Sequence, residues 1–211
     1  MCSWLPHKLL PSISSAGISQ QYLSDVRFRD SSKNAQNCSR NFGDMDKALH
    51  MTPSVPIIHS KPGEGRAFCA VGDVYRNLAT GEQTGGAYVL TEAKVYPGGG
   101  PPPHIHRRED EAFYILEGEL TFTVGGQRIV AGPGAFLQAP RDIPHAFKNE
   151  STAPARMLIH VAPAGFEKFM EEFATPVESF DSPPLPVTHA EIEKLLAVAP
   201  KYGIEILPGP H

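Results

Sequence analysis

Four side chains in this sequence have the types and spacing of a metal centre: His104, His106, Glu111 and His145. Successive side chains of a β-strand point to opposite faces, so a His-x-His pair on one strand turns both rings the same way. Three neutral imidazoles and one carboxylate form a mixed nitrogen and oxygen donor set. That set suits one divalent transition metal ion (Fe, Mn, Ni, Cu, Co or Zn) better than Ca or Mg. It also leaves coordination positions free, as a catalytic metal requires and a structural one does not.

These residues must be carried by strands. Glu111 follows the charged turn Arg107-Arg108-Glu109-Asp110 and is expected further along the wall that carries the histidines, with Phe113 and Ile115 on its face. His145 comes much later, on a strand expected to close against the first, with Phe147 and Asn149 continuing inward. Glu109 and Asp110 read as solvated turn residues. Phe113, Phe122, Phe136 and Phe147 read as barrel packing, with lining of a substrate pocket as the alternative for inward ones near the metal, and His160 as a hydrogen-bonded core or surface histidine. His7, His50, His59, His189 and His211 read as surface, and Cys69 as an inert buried thiol.

Between Val55 and Val161 the pattern is one of short apolar runs bounded by Gly and Pro, with candidate strands at 57–60, 66–71, 74–78, 86–96, 112–116, 120–124, 127–130, 135–138, 145–148 and 156–161. Gly125-Gly126 between two such runs marks a hairpin, because a type I′ turn needs positive φ at both central positions. Many short strands at this interval predict an all-β sandwich or closed barrel. Phe166, Phe169, Met170 and Phe173 recur at helical spacing, which predicts an amphipathic helix over 164–174 whose stripe packs on the barrel rather than lining a ligand pocket. A Pro-rich connector leads to Thr188 and Glu191, the spacing of a capping box. Ile192, Leu195, Leu196 and Val198 then form the buried side of a second helix, with Pro200 and Gly203 as its stop signals.

The domain reading is a disordered extension over residues 1–50, a barrel over 51–163 and a helical extension over 164–211. Residues 1–50 are rich in Ser, Asn, Gln and Asp without periodicity. Met51 would also serve as a start, and the acidic residues argue against a transit peptide. A net charge of -4 over 211 residues gives no electrostatic reason to expect nucleic acid or an anionic membrane as partner. No run of apolar residues is long enough to span a membrane. Three cysteines without CxxC spacing fit a reducing compartment, so a cytoplasmic location is expected.

Gly98, His104, His106, Glu111 and Gly118 resemble the first cupin motif in every position. Gly134, Pro140, His145 and Asn149 resemble the second, with Asp142 where that pattern has Gly; Asp tolerates a left-handed turn better than most residues. The resemblance is closest to small one-domain cupins of the quercetin 2,3-dioxygenase-like kind. It implies an all-β double-stranded β-helix, a jelly-roll barrel, with two C-terminal helices, and His104, His106, Glu111 and His145 as metal ligands. It further implies a dioxygenase acting on a small enolisable substrate, with Glu111 as the base that takes the substrate's hydroxyl proton, its pKa raised by burial. A homodimer is implied as well. Two other functions stay open: a cupin isomerase, decarboxylase or lyase using the metal as Lewis acid, and a non-catalytic small-molecule-binding module.

Overall fold

The computed structural model describes residues 56–208. The expectations for residues 1–50, for Met51, for Cys2 and Cys38, and for His7, His50 and His211 lie outside these residues. The described chain runs through β1 (Ala67–Ala70), β2 (Asp73–Ala79), β3 (Val89–Val95), β4 (His104–His106), β5 (Asp110–Glu117) and β6 (Leu120–Val124). Then come β7 (Gln127–Ala131), β8 (Phe136–Ala139), β9 (His145–Lys148), β10 (Ala155–Ala162), helix α1 (Phe166–Phe173) and β11 (Thr175–Val177). Helix α2 (His189–Val198), a 3-10 turn (Ala199–Tyr202) and β12 (Ile204–Ile206) complete it.

Period-two burial explains how the strands assemble. On β10, Ala155, Met157, Ile159 and Val161 are buried while His160 faces out; on β5, Glu111, Phe113 and Ile115 are buried between outward-facing neighbours. β10 therefore pairs with β3 on one side and β5 on the other, inside a seven-stranded antiparallel sheet of order β11-β1-β2-β3-β10-β5-β8. A five-stranded sheet, β12-β4-β9-β6-β7, faces it. Phe113 of the first sheet meets Phe122 and Phe147 of the second at ring-centroid distances of 4.9 and 5.9 Å, so the apolar faces interlock as a jelly-roll barrel. Truncating such a core Phe to Ala costs about 3–5 kcal/mol. The Gly125-Gly126 hairpin forms between β6 and β7, with φ of 55° and 82° at the two glycines. Among the described residues no helix is long and apolar enough to cross a membrane.

The C-terminal segment is woven into the sheets as well as packed on them. β11 pairs with β1 and β12 pairs with β4, two strands absent from the sequence expectations. The expected strand at 57–60 does not form, and Ile57 is exposed; the edge of β1 that could have received it is taken by β11. Thr188 Oγ1 accepts from the Glu191 amide at 3.2 Å, half of the expected box. Glu191 does not reach back to close it; its carboxylate accepts from the Val71 amide at 2.9 Å and so ties α2 to the β1–β2 turn. Leu195 and Val198 are buried as expected, whereas Leu196 faces solvent. Phe136 is also exposed, on the edge strand β8, and is not barrel packing. Cys69 is buried, which pushes its thiol pKa up and fits an inert role.

Candidate metal centre

β4 and β9 are neighbours in the five-stranded sheet, and His104 lies directly opposite His145 in their register. His106, two residues along β4, turns the same way. Glu111 does not continue this wall, as the sequence suggested. It belongs to β5 of the facing sheet, opposite Ala139 of β8 and Val161 of β10. The four side chains thus converge from both sheets across one end of the barrel. All four are buried, and one donor atom from each lies within 4.8 Å of the others.

The outer side of each ring is occupied. His104 Nδ1 donates to the Pro102 carbonyl at 2.9 Å and His145 Nδ1 to the Ile143 carbonyl at 2.9 Å. His106 Nδ1 faces the Glu109 carboxylate at 3.4 Å. Holding Nδ1 from behind leaves Nε2 as the inward atom on every ring, the tautomer a metal ligand needs. His106 Nε2 is buried with no hydrogen-bond partner, 3.7 Å from Glu111 Oε2. A buried orphan nitrogen is costly unless something binds it, so these residues fit a transition metal ion of the borderline kind.

The protons are placed accordingly. His145 Nε2 donates to Glu111 Oε2 at 2.8 Å. Burial pushes the Glu111 carboxyl up, but this hydrogen bond and the neighbouring imidazoles outweigh it and hold the group at about 2. The expectation that burial alone raises Glu111 is therefore corrected; His145 is its counterpart. Burial lowers the His145 pKa, yet the contact with Glu111 leaves it raised overall. His104 is lowered to about 4 by burial and then by His145. A metal would displace the shared proton, so its uptake is linked to proton release.

The backbone around the four residues is pinned. Asp142, the residue that departs from the second motif, adopts φ of 66° and donates its amide to the His106 carbonyl at 2.8 Å, so the left-handed turn is kept. Asn149 is fully buried; its Nδ2 donates to the carbonyls of Val95 and Ala153 at 2.8 Å each, a structural tie at the end of β9.

Residues 91–161 match the family model described as the cupin domain. The chain belongs to the cupin superfamily. Quercetin 2,3-dioxygenase of Bacillus subtilis (strain 168) is 28% identical to this cupin over 156 residues, 74% of this chain and 44% of that protein. Polyketide synthase CurC of Streptomyces cyaneus is 31% identical over 71 residues, 34% of this chain and 46% of that protein. The chain spans less than half the length of these curated relatives. Among solved structures, an RmlC-like cupin from Shewanella frigidimarina NCIMB 400 is 16% identical, covering 56% of this chain and 96% of that one with a TM-score of 0.45.

Two features of the cupin site went unread in the sequence. Glu109 is buried and not a solvated turn residue, whereas its neighbour Asp110 does pair with Arg141 at the surface. The stripe of α1 does more than pack. Phe166, Phe169, Met170 and Phe173 line a cavity of about 60 Å³ whose floor includes His104, His106 and Glu111, and Ile204 and Ile206 of β12 close another side. Helical spacing reveals that a stripe is buried but not what it faces; two pieces of sequence, the helix and the motif, had to be placed in one end of the barrel first.

Proposed function

We propose that this cupin is a metal-dependent, dioxygenase-like enzyme acting on a small, neutral, enolisable organic substrate, with His104, His106, Glu111 and His145 holding the metal. The wall of the cavity carries this reading. Apart from the metal cluster, Tyr75 supplies the sole side-chain polar group among the described lining residues, and no lysine or arginine is among them. A sugar phosphate or dicarboxylate would be stripped of water there with no lysine or arginine to meet the charge beyond what a metal at the cluster could balance, which is unfavourable. An apolar ring bearing an enolisable hydroxyl would instead meet Phe147, Phe166 and Phe169. The likeness to quercetin 2,3-dioxygenase supports the same reaction class.

When bound, the metal would supply Lewis acidity and a redox-capable centre for reaction of the enol with dioxygen. The chain's own part is positional and protic. Three imidazoles present their Nε2 atoms, and Glu111 takes the substrate's hydroxyl proton, for which it must first give up the hydrogen bond from His145 that holds its pKa low. The Tyr75 hydroxyl, with no hydrogen-bond partner among the described residues, is free to orient the substrate's oxygen, and α1 with β12 keeps water out. The cavity is about 60 Å³, so a substrate of several rings would require the α1 and β12 walls to give way.

The protein loaded in turn with Fe, Mn, Ni, Cu, Co and Zn is expected to consume oxygen with flavonols or other neutral enols with at least one of the redox-active ions and not with Zn, and not with sugar phosphates or dicarboxylates. Turnover without oxygen, equally fast with Zn, would replace this reading by a Lewis-acid isomerase, decarboxylase or lyase. Retention of a ligand unchanged would replace it by a binding module. Folded protein that takes up no transition metal would sink both enzymatic readings.

A further inference from the structure

The three histidines are not held alike. His104 and His145 lean on main-chain carbonyls, but His106 leans on a carboxylate. That carboxylate, Glu109, is 4% exposed and makes no ion pair with lysine or arginine among the described residues. Its Oε1 packs beside Gly165, 3.5 Å from where a Cβ would stand, at the start of α1; Phe166, the next residue, lays its ring 5.7 Å from that of His106. Glu109 is thereby enclosed by His106, the β4–β5 turn and α1.

A charge count shows what such an enclosure is for. One carboxylate among the inward donors, Glu111, neutralises half of a divalent ion. The remaining positive charge would be buried with three neutral rings, a costly arrangement without a second anion nearby. Glu109 stands one imidazole away. An anionic acceptor on Nδ1 makes Nε2 a stronger donor to a metal and fixes the ring plane. We propose that Glu109 is a positioning residue for the metal: it holds His106 from behind and supplies the second negative charge that a buried dication requires. This rests on the metal reading of the four-residue cluster and adds a fifth residue to it.

The test uses the full chain with Co²⁺ as probe, its affinity measured by competition with a chromophoric chelator and its geometry by visible absorption. Glu109→Gln keeps the shape and removes the charge. It is expected to weaken Co²⁺ binding about 10–100-fold and to shift the absorption bands, while thermal unfolding of the metal-free protein stays near wild type. Glu109→Asp, which keeps the charge, is expected to fall between wild type and Glu109→Gln; it also serves if the Gln variant folds poorly. If wild type binds Co²⁺ and both variants match it within twofold with unchanged spectra, Glu109 is a packing residue and the proposal is wrong. If wild type itself binds no Co²⁺, the metal reading has failed first, a separate result.

Discussion

Two carboxylates are buried on opposite faces of the same seven-stranded sheet, Glu92 on β3 and Glu111 on β5, and they live in opposite electrostatic surroundings. Glu92 receives Arg76 Nε on one oxygen at 2.8 Å and Arg156 Nε on the other at 3.0 Å, and Arg156 continues to Glu117. Both of its oxygens are met by permanent cations, so its charge is matched whatever the solution contains. Glu111 is surrounded by imidazoles instead: one donates to it, and another ends in an orphan nitrogen. That arrangement is satisfied by a proton, and a metal ion would satisfy it in the proton's place. A buried acid among arginines holds a sheet together; the same acid among histidines waits for a ligand.

The same substitution at both positions separates the two roles. Glu92→Gln leaves the half-buried Arg76 beside a neutral group and is expected to lower the unfolding free energy in denaturant titration by about 3 kcal/mol, with metal stoichiometry of the folded protein unchanged. A stability near wild type would show that the ladder on the outer face is dispensable. Glu111→Gln keeps a carbonyl that can accept from His145, so its metal-free form should lose less stability than Glu92→Gln. Its metal affinity should drop by more than about 100-fold, the upper range for losing a mere supporting partner. Equal affinity in the two variants would erase the distinction.

The smallest expected effect concerns protons alone. His104 has a folded pKa near 4, below its ordinary 6.5, so between those values the unfolded chain binds a proton that the folded chain refuses. Stability of the metal-free protein should therefore fall as pH drops from 6.5 to 4, by on the order of 1.4 kcal/mol per unit at most from this residue. The drop should level off below 4. His104→Gln should lack this component in urea unfolding across that window; an identical pH slope would mean that His104 is hydrated rather than buried.

Much of this was legible in the chain because it is written in short periods. Alternation along 156–161 and 112–116 sufficed for the central strands, and Gly125-Gly126 for the hairpin between β6 and β7. The candidate cluster could be named because a strand forces His104 and His106 onto one side. What escaped depends on tertiary placement. Arg107-Arg108-Glu109-Asp110-Glu111 is charged at every position, so no pattern distinguishes Glu109, turned inward, from Asp110, turned out to Arg141. Glu111 could be assigned to a strand but not to a sheet, since the crossing from β4 to β5 takes only the turn between them. β12 is three residues long between Gly203 and Leu207, too short for any period.

That last strand has a consequence in time. Ile204, Glu205 and Ile206 pair with His106, Ile105 and His104, so the strand that bears two of the histidines acquires one of its neighbours only when a segment about a hundred residues further on has been synthesised, a contact of the long-range, slow-forming kind. Until the ribosome has released that segment, β4 lacks one of its two strand neighbours. The strand that carries His104 and His106 is thus completed only after translation of residue 206, late in the folding of the barrel.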